Sequence, residues 1–84
     1  SFMKNLLVFY DGSCIVCSKA MKKYQTLAGS EKITFIDVTN EAQFNHYRGE
    51  LTLSEAMKAM HVKVPYGPQE KGIDALITLW QWLP

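Results

Sequence analysis

The sequence predicts an α/β domain: a central four-stranded mixed sheet flanked by helices, in the order β-α-β-(α)-α-β-β-α. Three observations point there. Residues 5–10 and 32–38 are short runs with apolar residues on both faces, as strands covered on both sides require. The segment between them carries apolar residues at three- and four-residue steps, the period of an amphipathic helix. The C-terminal part sets the turn Pro65-Tyr66-Gly67-Pro68 between two short segments and then closes on a helical pattern.

Size and charge bound the rest. Eighty-four residues, 48% hydrophobic and 20% charged, make one domain, read here as residues 3–84. Ser1-Phe2 ahead of Met3 is read as the remnant of a cleaved tag. A net charge of +1 speaks against a nucleic-acid partner. The chain holds no apolar run of about 18 residues, so no membrane span is expected, and no signal peptide is visible. Two cysteines are too few to staple a secreted fold, so the expected location is cytoplasmic.

Taken in order, Asn5-Leu6-Leu7-Val8-Phe9-Tyr10 reads as a buried strand stopped by Asp11-Gly12. Residues 14–28 read as a helix, with Val16, Cys17, Ala20, Met21, Tyr24 and Leu27 on its buried stripe. Ser13 or Asp11 is expected to cap it, and Gly29 to stop it. Lys19, Lys22 and Lys23 fall on its wet face. In residues 32–38, Ile33 and Phe35 face one way and Thr34, Ile36 and Val38 the other. Thr39 or Asn40 caps a short helix over residues 41–47. Thr52 and Glu55 have capping-box spacing for a helix reaching about Met60, burying Leu53, Ala56, Met57 and Met60. Residues 61–64 and 69–71 form a hairpin. Gly72 opens the last helix, with Ile73, Leu76, Ile77, Trp80 and Leu83 as its buried stripe and Leu79 and Trp82 left partly off it. An initial strand-helix-strand unit implies a parallel pair, and the terminal hairpin and helix complete a thioredoxin-like arrangement.

The chemistry concentrates in Tyr10-Asp11-Gly12-Ser13-Cys14-Ile15-Val16-Cys17. Residues i and i+3 of a helix share a face, so the two sulfurs of C-x-x-C can close a disulfide. Cys14, at the helix start and expected to be the more exposed, is the candidate nucleophile; backbone N–H groups and the helix dipole favour its thiolate. Cys17, one turn deeper, is the candidate resolving thiol. Asp11 admits two readings, a carboxylate relaying protons to the thiols or a turn-forming side chain. Tyr10 can line a substrate groove. His61 starts the third strand as either a structural hydrogen-bonder or a neighbour of the cysteines. The competing view of the site is zinc, with His46 and His61 added to the two cysteines, or a non-enzymatic interaction module on the same scaffold.

The motif resembles the signature of the DCC family, named for D-x-x-C-x-x-C. The likeness continues through Phe35-Ile36-Asp37-Val38, Ser54-Glu55-Ala56-Met57, Met60-His61-Val62 and Gly72-Ile73-Asp74-Ala75. It implies a thioredoxin-like thiol-disulfide oxidoreductase that needs no metal or organic cofactor. Its partners would be a protein or small-molecule disulfide and an electron donor, glutathione or a reductase. Family members extend a few dozen residues past the equivalent of Leu83-Pro84, so the chain is expected to be truncated, with Leu79 and Trp82 covered by the missing part. Thioredoxins carry a cis-proline before the third core strand; here Met60 or His61 is expected in that place.

Overall fold

The computed structural model describes residues 4–27 and 29–84. Ser1-Phe2, read from the sequence as a tag remnant, Met3, and the last residue of the expected first helix, Ala28, lie outside the described residues. The strands are β1 (Leu6–Tyr10), β2 (Ile33–Asp37), β3 (His61–Lys63) and β4 (Gln69–Lys71). The helices are α1 (Ile15–Gln25), α2 (Glu41–Tyr47), α3 (Leu53–Lys58) and α4 (Gly72–Trp82). A single 3-10 turn at Ser30–Lys32, not foreseen from the sequence, leads into β2.

The sheet runs β2-β1-β3-β4, with β1 parallel to β2 and antiparallel to β3, and β3 antiparallel to β4. This is the mixed, thioredoxin-like sheet that the element order predicts. The central strand β1 buries both faces, and the core is accordingly double. Leu6, Val8, Ile33 and Val62 point to one side and pack with Met21 of α1 and Ala75 and Leu79 of α4. Leu7, Phe9, Ile36 and Val38 point to the other and pack with Phe44 of α2, Leu51 of the loop before α3 and Ala56 of α3. Phe9 meets Phe44 edge to face at 6.1 Å between ring centroids. Each fully buried side chain of this size contributes roughly 1.5–3 kcal/mol by leaving water.

Edges and ends are closed locally. The outer edge of β2 is covered by Gln43, whose amide donates to the Phe35 carbonyl at 3.1 Å and accepts from the Asp37 N–H at 3.1 Å. Asn40, not Thr39, caps α2, accepting from the Gln43 N–H. The Thr52–Glu55 capping box forms in full at the head of α3.

Three expectations about burial are corrected. Helix α3 stops at Lys58 because Ala59 turns extended, and it buries only Ala56; Leu53 and Met57 are exposed and Met60 is half-buried. On α1, Met21 is buried and Ala20 and Tyr24 half-buried, whereas Val16 is 78% exposed and Leu27 also faces out. The stripe of α4 is rotated. Ala75 and Leu79, both 0% exposed, face the sheet, with Trp82 and Leu83 packed beside them; Ile73 is 71% and Trp80 53% exposed. Leu79 and Trp82 are thus covered by this chain's own sheet and helices. Helix α4 is apolar on two adjacent faces, and the small Ala75 lets its backbone approach the sheet where Ile73 or Ile77 would hold it off.

Candidate active site

The first turn of α1 begins at the C-terminal end of the central strand. Asp11 accepts from the Ser13 N–H at 2.9 Å and from the Ser13 hydroxyl at 2.6 Å, while its carbonyl accepts from the Cys14 N–H at 3.1 Å. These bonds make a tight Asx-type turn. Asp11 therefore builds the turn that delivers the cysteines, and the N-cap proper is Cys14 rather than Ser13 or Asp11. Gly12 rests on β2: its N–H donates to the Asp37 carboxylate at 3.0 Å. The same Asp37 oxygen accepts from the N–H and hydroxyl of Thr39 at 2.9 and 2.6 Å. A side chain at position 12 would overlap this carboxylate, so only glycine lets the loop lie against it.

Both cysteines are free thiols, with sulfurs 2.9 Å apart, within reach of a hydrogen bond between a thiol and a thiolate. The Cys17 N–H also points at the Cys14 sulfur, 3.4 Å away. The Cys17 thiol, first, and this N–H, second, hold the Cys14 thiol below its ordinary pKa, against a smaller opposing push from the Asp11 charge. The same contact with Cys14, with burial second, raises Cys17. The sulfurs are thereby split into an acidic and a reluctant thiol, as an attacking and resolving pair requires. Exposure runs opposite to expectation: Cys14 is half-buried as the cap residue, and Cys17 is exposed. The distinction between them lies first in hydrogen bonding, with burial second.

Because thiolate is the reactive form, a lowered pKa moves reactivity to lower pH. Alkylation of Cys14 by iodoacetamide is expected to be half-maximal below the pH found for an ordinary thiol. A Cys17→Ala protein, lacking the thiol donor, should shift that midpoint upward. An unshifted midpoint in both proteins would contradict the assigned hydrogen bond.

A groove of about 620 Å3 opens beside the sulfurs, between α1, α4 and the α3–β3 junction. It gathers Tyr10, Asp11, Cys14, Cys17 and Met60 from the residues singled out in the sequence. Burial, with the Asp37 carboxylate second, pushes the Tyr10 phenol up, so Tyr10 enters the groove as a neutral ring. Gly12 and Ser13 shape the loop behind it and do not line it. His61 does not belong to it either. It pairs with Phe9, shares that residue's face of the sheet, is buried, and holds the Ala59 carbonyl at 2.8 Å through Nδ1. Met60 therefore takes the place beside the cysteines. Among the described residues every peptide bond is trans. His61→Gln is expected to change Cys14 reactivity less than about twofold, since the residue lies across the sheet; a larger change in iodoacetamide kinetics would place it in the site.

Sequence reasoning missed the groove's far wall. Tyr24, Met57, Ile73, Leu76 and Trp80 all line it, and Trp80 donates its indole N–H to the Tyr24 hydroxyl at 3.0 Å, joining α4 to α1. The signal for it is the Ile73, Leu76 and Trp80 stripe of α4, which periodicity alone directs to the core. His46 meets Tyr47 edge to face on α2, 4.6 Å between ring centroids. Among the described residues no three of His, Cys, Asp and Glu come together as metal ligands, so the proposed zinc set does not assemble. No helix among them is long and apolar enough to cross a membrane.

A dithiol at the head of the first helix, directly after the central strand of this sheet, defines a thioredoxin-like protein with a candidate redox pair. The chain belongs to the DCC1-like thiol-disulfide oxidoreductase family, whose family model matches residues 8–84. The resemblance drawn from the D-x-x-C-x-x-C motif and the segments downstream is thus borne out. Neither the curated proteins nor the solved structures include a match to the chain.

Proposed function

We propose that the protein is an enzyme that exchanges its Cys14–Cys17 dithiol with a substrate disulfide. The Cys14 thiolate attacks one substrate sulfur, forms a mixed disulfide and releases the other sulfur as a thiolate, which takes up a proton. The Cys17 thiol then loses its proton and attacks the Cys14 sulfur. The second substrate thiol leaves, the substrate has gained two electrons, and the protein holds a Cys14–Cys17 disulfide. A thiol donor, glutathione or a reductase, restores the dithiol. Run backwards, the same steps oxidise a substrate dithiol.

The observation that carries this reading is the pairing of two free sulfurs 2.9 Å apart at a helix start, where the Cys17 N–H also points at the Cys14 sulfur. Asp11 takes part as the turn carboxylate, not as a proton relay: both bonds from Ser13 stabilise its charged form and lower its pKa, which makes it a poor proton acceptor. With only two cysteines and exchange chemistry that draws on cellular thiols, the reading places the protein in the cytoplasm.

Trapping tests it. A Cys17→Ser protein mixed with a disulfide should accumulate a mixed disulfide on Cys14, seen as a stable mass increase of one substrate half. A Cys14→Ser protein should not accumulate the same adduct on Cys17. Equal adducts on either single cysteine would remove the assignment of roles.

A further inference from the structure

The groove beside the sulfurs has a composition that selects among disulfides. Among the described residues its lining carries two charged side chains, Asp11 and Lys58, which offset each other. The remainder is dominated by aromatic, aliphatic and methionine side chains from three elements: Tyr24 of α1, Met57 and Met60 around the end of α3, and Ile73, Leu76 and Trp80 of α4. Val16 lines the groove and is 78% exposed, and Ile15 and Ile77, next in sequence to groove residues Cys14 and Leu76, are exposed as well. Such a continuous apolar area around a reactive thiol is unfavourable in water unless a partner covers it. Glutathione disulfide, with four carboxylates, finds here one cation and one anion, and would leave its charges unpaired against apolar walls. An aliphatic or aromatic side chain finds walls that match it, with two methionines able to adapt to its shape.

We infer that the substrate recognised at this site is a polypeptide disulfide whose attacked half-cystine is flanked by aliphatic or aromatic residues, held in the groove between α1 and α4. The inference rests on the exchange chemistry proposed above and adds its specificity. In the reaction, the flanking side chain occupies the Ile73–Trp80 wall while the substrate sulfur meets Cys14. The peptide disulfide is reduced to two thiols as the protein dithiol becomes a disulfide, so a single turnover needs no further reductant.

The test is single-turnover oxidation of the reduced protein, quenched by alkylation and read by mass. Three probes are compared: a disulfide-linked peptide with Leu and Phe beside the half-cystine, the same peptide with Ser and Asn there, and glutathione disulfide. Each rate is divided by that probe's rate with free cysteine. The Leu/Phe peptide is expected to react roughly tenfold faster than the other two. Ile73→Ser and Met57→Gln, both at exposed positions, should each cut that preference to below about threefold, while Leu53→Ser, on the opposite side of the sheet, should retain it. Equal corrected rates for the three probes, or a preference untouched by Ile73→Ser and Met57→Gln, overturns the inference. Hydroxyethyl disulfide separates the two levels. If it oxidises the protein while the probes show no preference, only the specificity falls; if neither it nor any probe oxidises the pair, the exchange chemistry falls as well.

Discussion

Replacing Cys14 with serine is expected to slow disulfide exchange on the order of a thousandfold, about 4 kcal/mol of barrier, and to leave the fold in place. A serine hydroxyl stays protonated near neutral pH, and nothing in the loop supplies a base for it; the carboxylate nearest in sequence, Asp11, is engaged by Ser13. The cap itself survives, because serine is a favoured N-cap residue and its oxygen can accept the N–H that the Cys14 sulfur now accepts. Unfolding by urea should therefore show a midpoint near that of the unsubstituted protein. The paired substitution behaves differently. Cys17→Ser keeps the attacking sulfur, so the first step proceeds and the reaction stops at the mixed disulfide. Loss of the first step in Cys17→Ser with retention in Cys14→Ser would reverse the roles.

Gly12→Ala is expected to damage both stability and reactivity, although the change is one methyl group. The added carbon would fall on the Asp37 carboxyl group, which is already committed to the Gly12 N–H, the Thr39 N–H and the Thr39 hydroxyl. Either Asp37 swings away and these bonds to a charged group are lost, or the loop lifts off β2 and carries the cysteines with it. Overpacking of this kind costs about 1–3 kcal/mol. Urea titration should show the loss of stability, and iodoacetamide kinetics should show Cys14 changed in reactivity. An alanine protein indistinguishable in both respects would mean that the loop is not held by Asp37.

Much of the fold was legible because its signals are local. The double-sided apolar runs, the capping box at Thr52, the Pro65–Pro68 turn and the C-x-x-C after a strand each name their element with little help from tertiary structure. What was not legible depends on docking. Helix α4 carries two apolar stripes, and periodicity favours the bulkier one; the sheet accepts the one containing Ala75, and the bulkier residues are left to line the groove. The junction at Met60 and His61 shows a second limit. Side chains alternate across a strand, so neighbouring residues face opposite ways, and the register decides which faces the cysteines. Pairing of Val62 with Val8 sets Val62 toward α1 and α4, which sends His61 to the other side with Phe9 and leaves Met60 by the groove. Cys14 and Cys17 show a third. Position on a helix predicted which thiol would be acidic, but exposure did not follow, because the capping role draws Cys14 inward.

The most direct test of the dithiol chemistry is a redox titration of the Cys14–Cys17 pair in glutathione buffers, quenched by alkylation and read by mass spectrometry. The account predicts a single two-electron transition between dithiol and disulfide, within the range of cellular thiol couples, roughly −200 to −300 mV. Two thiols that stay unpaired at every ratio of reduced to oxidised glutathione, or that form only separate glutathione adducts, would contradict it.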